Sequence, residues 1–374
     1  MGTFSAATFI AALLLGAAGP ATAAPEAAPG CTAQAPCYTA FTPDTAPSGQ
    51  LHYYASAAPG SADTPPTQVL IALHGHSRDA TKTYAAALAA TQAAGKAALT
   101  LVIAPLFQVA DSPGRHGRGC SSAGVPGPQD GDLLWTCNSW PAGERAAGGG
   151  PTAYAVLDAL IQHLHQQWPS LQRATLGGFS AGGQFVQRYV GFAEVRRPHP
   201  FPVRYVVADP GSWLYFDPER PVPLRQGAAV DWDDCLDGLS ASGSEGACTL
   251  HWRAPSPSCP AENRWKHGTE ALPADLIRSA AEARSRYAAA DVRYLQGSAD
   301  TGSGKGSAYS VLERTCAALA QGPFRLQRGL AYAAYDRLRL ATARPRHVGI
   351  APGCAHDVAC VFPSEAGRRA LFGD

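Results

Sequence analysis

The sequence carries no surplus of basic charge. Its 374 residues include 30 Lys and Arg against 29 Asp and Glu, a net charge of +1, with charged residues at only 16%. Nucleic-acid binding ordinarily requires a basic excess, so this balance points away from a nucleic-acid or other polyanion partner. Beyond its first residues the chain has no apolar run of the roughly 18 residues that a membrane span needs, which argues against a later span and leaves an uncleaved N-terminal anchor as the alternative. None of its ten cysteines stands in a C-x-x-C pair, so the spacing of a structural zinc site is missing. No internal repeat is apparent. With 46% hydrophobic residues, what remains is a globular chain long enough to bury one large core with decorations.

The first residues read as a secretory signal. Phe9 to Leu15 is a short apolar run, and Ala21-Thr22-Ala23 offers a small-x-small cleavage site; the alternative is an Ala-rich tail. The expected organisation is a signal over residues 1–23, an irregular leader over 24–50, and one catalytic-type domain over 51–374. An even number of cysteines in an exported chain reads as disulfides, and the expected location is secreted or periplasmic. Loop closure favours local partners such as Cys31 with Cys37, Cys120 with Cys137, and Cys354 with Cys360.

The continuous apolar run Gln68–Leu73 reads as a central strand buried on both faces, Leu99–Pro105 and Arg173–Leu176 as further buried strands, and Val203–Ala208, Asp291–Gly297 and His347–Ala351 as strands. Helical spacing recurs in Thr83–Ala98, Tyr154–Trp168, Gln184–Val190, Pro273–Ala290, Ala308–Leu319 and Glu365–Phe372. This alternation predicts an α/β fold with a mostly parallel sheet and helices on both faces. A Pro- and Gly-rich excursion over about 212–272, holding three cysteines, interrupts it as a cap-like insertion.

The chain is organised around Gly178-Phe179-Ser180-Ala181-Gly182, a G-x-S-x-G pattern at a strand-to-helix junction. A serine on so tight a turn needs small neighbours, and the helix that follows offers N–H groups to a developing oxyanion. Activation of the serine requires a base and a carboxylate that orients it. His356 follows the last strand, in a loop that a Cys354–Cys360 disulfide would brace. Asp300 follows the strand ending at Gly297, with Asp209, also after a strand, as competitor. Asp357 stands too close to His356 to reach its ring and reads as structural. The oxyanion donors expected are the backbone N–H groups of His76 and Ala181. His74 and His76 lack a further ligand that would complete a metal site, so neither metal nor organic cofactor is expected. Trp135, Trp140, Trp213 and Tyr215 either wall an acyl or alcohol pocket or pack in the core.

Leu73-His74-Gly75-His76, Gly178 to Gly183, Tyr294 to Asp300 and Gly353 to His356 together resemble the α/β-hydrolase superfamily, over nearly the whole chain after residue 50. The Ser-Ala-Gly-Gly elbow and His-Gly-x loop are most similar to secreted esterases grouped with poly(3-hydroxybutyrate) depolymerases and feruloyl esterases. His76 replaces that group's usual cysteine after His-Gly, and the tryptophan that often follows its catalytic histidine is missing. The resemblance implies a serine esterase with a triad of Ser180, Asp300 and His356, acting on a small-molecule or polymeric ester. A serine peptidase, a lipase or polyesterase, and a retired hydrolase scaffold used for surface binding are the alternatives.

Overall fold

The structure, a computed structural model, describes residues 1–2, 37–61, 64–110, 120–194, 198–235, 248–341, 343 and 346–373. The expected signal and Cys31 therefore lie outside the described residues. The chain separates into two units, Met1–Gly30 and Cys31–Asp374; every element below belongs to the second.

Eight strands form the central sheet: β1 (Cys37–Phe41), β2 (Leu51–Ala55), β3 (Gln68–Leu73), β4 (Thr100–Leu106), β5 (Arg173–Phe179), β6 (Val203–Ala208), β7 (Asp291–Gly297) and β8 (Val348–Ala351). Their order across the sheet is β1-β2-β4-β3-β5-β6-β7-β8. β2 runs antiparallel to both its neighbours, and every other pairing is parallel. β1 corrects the expectation of an irregular leader: Cys37–Phe41 pairs in register with Leu51–Ala55, which saturates the backbone of an otherwise open sheet edge.

Alternation along β3 shows why the middle strands are apolar throughout. Val69, Ile71 and Leu73 enter one core, while Leu70 and Ala72 enter another on the opposite face. The first core packs against helices α2 (Ala153–Gln167) and α3 (Ala181–Phe192), and the second against α1 (Ala80–Ala93) and the C-terminal α6 (Glu365–Phe372). Thr152 caps α2 by accepting from Ala155 N, and Ser279 opens α4 (Ala280–Ala289) with a capping box to Glu282.

Two departures concern the last third. The helix expected over 308–319 shrinks to Cys316–Leu319: Tyr309–Val311 forms a single tight turn, Leu312 is extended, and Thr315 starts the helix by accepting from Ala318 N. A helix the sequence reading did not anticipate, α5 (Arg325–Tyr335), is buried along its length and places Tyr332 and Tyr335 in the main core. The excursion is not irregular throughout: Arg220–Arg225 pairs antiparallel with Ala228–Ala229 and with Thr249–Arg253. Disulfides join Cys235 to Cys248 inside it and Cys259 to Cys316 at its base, while Cys120–Cys137 and Cys354–Cys360 form as local closure favours. Among the described residues no helix is long and apolar enough to cross a membrane.

Candidate active site

Ser180 occupies the turn between β5 and α3 with φ 58° and ψ −117°, a conformation that non-glycine residues rarely adopt and that the surroundings must enforce. The glycines around it are set by contact. A Cβ on Gly178 would lie 2.0 Å from the Gly182 carbonyl oxygen, and one on Gly182 would lie 2.5 Å from that of Leu73. The tightness of the turn at Gly178 and the packing of Gly182 against the end of β3 thus leave room for hydrogen alone at these positions.

The loops after β7 and β8 bring two further side chains to this turn. His356 Nε2 stands 2.9 Å from Ser180 Oγ, and its Nδ1 stands 2.7 Å from Asp300 Oδ2. The pairing fixes the tautomer, with Nδ1–H donating to the carboxylate and Nε2 accepting from the hydroxyl. Phe179 packs its ring 4.7 Å from the imidazole. The His356 loop is tied by the Cys354–Cys360 disulfide, by His356 N donating to Gly306 O at 3.1 Å, and by Ala299 N donating to Cys354 O at 2.8 Å. Burial lowers the pKa of His356; the hydrogen bond to Asp300 opposes that, and the charge of Arg325 adds to it.

Asp300 is itself held from its other oxygen. Arg325 Nη1 lies 3.3 Å from Oδ1 and donates to Ser307 O at 2.7 Å. Asp209, the competing carboxylate, does not bond His356. It is buried at the end of β6 and accepts from Gly297 N at 2.9 Å. Burial, with the neighbouring charge of Asp300, pushes its pKa well above the ordinary aspartate value. Asp357 accepts from Ala359 N at 3.0 Å and meets Lys82 at 2.9 Å, capping the short helix behind His356.

Ala181 opens α3, so its N–H is among those with no intrahelical acceptor. His76 and Ala181 line the same cavity as Ser180, with a volume of about 280 Å³. Behind this loop His74 is fully buried, its Nδ1 donating to Gly75 O at 2.8 Å and its Nε2 accepting from Phe107 N at 3.2 Å. Burial takes its pKa down to about 4, so it serves as a neutral brace. His76 approaches Cys120 and Cys137, but those sulfurs are joined to each other and offer no thiolate to a metal.

The four aromatic residues do not wall this cavity. Trp135, Trp140, Trp213 and Tyr215 are all buried in the core. Trp140 stacks on Phe107 at 5.4 Å and meets His74 at 4.6 Å; Trp213 stacks on Tyr332 at 4.4 Å, and Tyr215 meets the same ring at 5.1 Å. Burial of so much aromatic area outweighs a place on the rim, and the loops fold inward to achieve it. Polar and charged groups line the cavity instead, among them Gln184, Arg188, Lys266, Glu313 and Arg325. Neither Arg188 nor Arg325 was singled out from the sequence. For Arg188 a signal existed, since Ser180, Gln184 and Arg188 recur at a spacing of four along a helix. A larger cavity of about 500 Å³ lies between α2 and the segment 41–46 and contains none of Ser180, Asp300 or His356.

No protein-family profile and no curated protein matches the sequence. Solved structures do match. A poly(aspartic acid) hydrolase from Sphingomonas sp. KT-1 superposes with a TM-score of 0.55 at 20% identity, covering 90% of this chain and 99% of the other. A poly(3-hydroxybutyrate) depolymerase from Bordetella parapertussis superposes with a TM-score of 0.51 at 19% identity, covering 86% of each chain. Sheet order, the strand-end loops and these superpositions agree: the chain has the α/β-hydrolase fold.

Proposed function

We propose that the protein is a serine hydrolase that cleaves carboxylic esters through an acyl-serine intermediate. The observation that carries this reading is the unbroken hydrogen-bond chain from Ser180 Oγ through His356 to Asp300. His356 takes the hydroxyl proton as Ser180 attacks the acyl carbon, and the imidazolium that forms is held by Asp300. The N–H groups of His76 and Ala181 receive the oxyanion. Collapse expels the alcohol with the proton from His356. Water, deprotonated by the same imidazole, then releases the acid and restores Ser180. Export fits the same reading, since disulfides persist in oxidising compartments.

The rivals make different demands on the cavity. A peptidase that selects cationic residues needs a free carboxylate there, yet Glu313 is engaged by Lys266 at 2.9 Å and His267 at 3.0 Å. A lipase needs an exposed apolar surround, and of the large exposed apolar side chains described only Val311 borders this cavity. Hydrolysis of a chain-length series of p-nitrophenyl esters tests the proposal: turnover highest on short soluble acyl chains and abolished in Ser180→Ala supports it. Undiminished turnover in that variant refutes it.

A further inference from the structure

Arg188 sits on α3 beyond Ser180 and Gln184 on one helical face. Helical side chains lean toward the N-terminus of their helix, which returns this guanidinium toward the elbow; it lines the same cavity as Ser180. Arg188 is fully buried. Its Nη1 donates to Pro141 O at 3.1 Å, and the guanidinium lies 5.9 Å from the Trp265 ring centroid. Nε and Nη2, which share one edge of the guanidinium, have no hydrogen-bond partner among the described residues.

The other buried arginines are better satisfied. Arg328 donates to the carbonyls of Gly322, Gly211, Glu313 and Pro323. Arg78 reaches Cys120 O, Phe107 O, Gln108 and Ser121. Arg325 is paired with Asp300. Among the described residues no carboxylate bonds Arg188. Glu313, the single carboxylate on the described lining, is already taken: burial opposes its ionisation, but the hydrogen bond from His267 and the charge of Lys266 hold its pKa well below the usual range. Burial disfavours the charge of this guanidinium, and Glu313 offsets that without bonding it; a free Nε/Nη2 edge is the fork that grips a carboxylate through two parallel hydrogen bonds.

We propose that Arg188 anchors a carboxylate borne by the substrate, so that the preferred esters are anionic, with the carboxylate within reach of the cavity when Ser180 attacks. This rests on the hydrolase reading above. Lys266, at the same cavity, holds Glu313 at 2.9 Å and so keeps that carboxylate from competing for Arg188.

Two substrate pairs locate the anion. The p-nitrophenyl monoester of adipic acid is compared with p-nitrophenyl hexanoate for a carboxylate on the acyl side, and 4-acetoxybenzoate with its methyl ester for one on the leaving group. The expected result is a kcat/KM ratio, anionic over neutral, of roughly tenfold or more in one pair. It falls by roughly tenfold, to near unity, in Arg188→Met and is only partly retained in Arg188→Lys, which keeps the charge and loses the fork. Should the Arg188 variants not fold, Lys266→Gln provides a second test, with a smaller fall in the same ratio. Glutarate should also inhibit the unmodified enzyme competitively and raise its Tm. Turnover of both neutral esters with no preference for either anionic one, and no effect of glutarate, overturns the proposal while leaving the hydrolase reading intact. A folded protein that turns over no ester contradicts the hydrolase reading; glutarate stabilisation that survives in Arg188→Met would sink the Arg188 assignment.

Discussion

Arg325 meets Asp300 from the side away from His356: Nη1 lies 3.3 Å from Oδ1, while the imidazole bonds Oδ2 at 2.7 Å, and both partners of the ion pair are buried. The carboxylate that orients His356 is therefore itself oriented by α5. Arg325→Met leaves Asp300 uncompensated beside the buried Asp209, and the expected loss is about 3–5 kcal/mol of stability, read by denaturant unfolding. The charge of Arg325 lowers the pKa of His356, so the acid limb of the rate profile in the folded variant should move to higher pH. An unmoved limb would mean that the two residues are not coupled.

His356 acts as a base only when neutral, and it is neutral above its pKa. Burial lowers that pKa from the ordinary value of about 6.5. In the unmodified enzyme kcat/KM should accordingly rise with pH through a midpoint below that value and then level off. A midpoint above it would show that the imidazolium is favoured, contrary to the burial described.

Gly75 tests the fit between the proposed oxyanion loop and the elbow. A Cβ there would sit 3.3 Å from Ser180 Cβ, a contact tight enough to shift the serine without filling the core. Gly75→Ala should lower kcat by about tenfold, since a displacement of about 1 Å costs about a hundredfold and this contact asks for a few tenths of an ångström, with Tm little changed. Full activity would show that the loop has slack.

The Cys354–Cys360 disulfide closes the loop that carries His356. Replacing both cysteines by serine should cost about 2 kcal/mol of stability on the loop-closure estimate, read as a lower Tm, and should reduce kcat as His356 loses its fixed approach to Ser180. Unchanged kcat with a lowered Tm would assign the bridge to stability alone.

The residues that the sequence reading found are those whose position is dictated by strand ends. Ser180, Asp300 and His356 each follow a segment legible as a strand, so parallel pairing alone carries them to one edge of the sheet. Trp135, Trp140, Trp213 and Tyr215 were legible as loop aromatics but not as core, because the direction in which a long loop folds depends on contacts distant in sequence. Tyr332, against which Trp213 stacks, lies on α5, a helix whose charged residues Arg325 and Arg328 conceal its burial. Arg188 was obscured in the same way: a charge inside an apolar helix reads as solvent-facing until the cavity beside it is seen.

Labelling of the oxidised, folded protein with a fluorophosphonate addresses the activated serine most directly. Stoichiometric modification of Ser180, lost in both Ser180→Ala and His356→Ala, is the predicted result. A folded protein that takes no label, or takes it equally well in His356→Ala, would contradict the proposed mechanism.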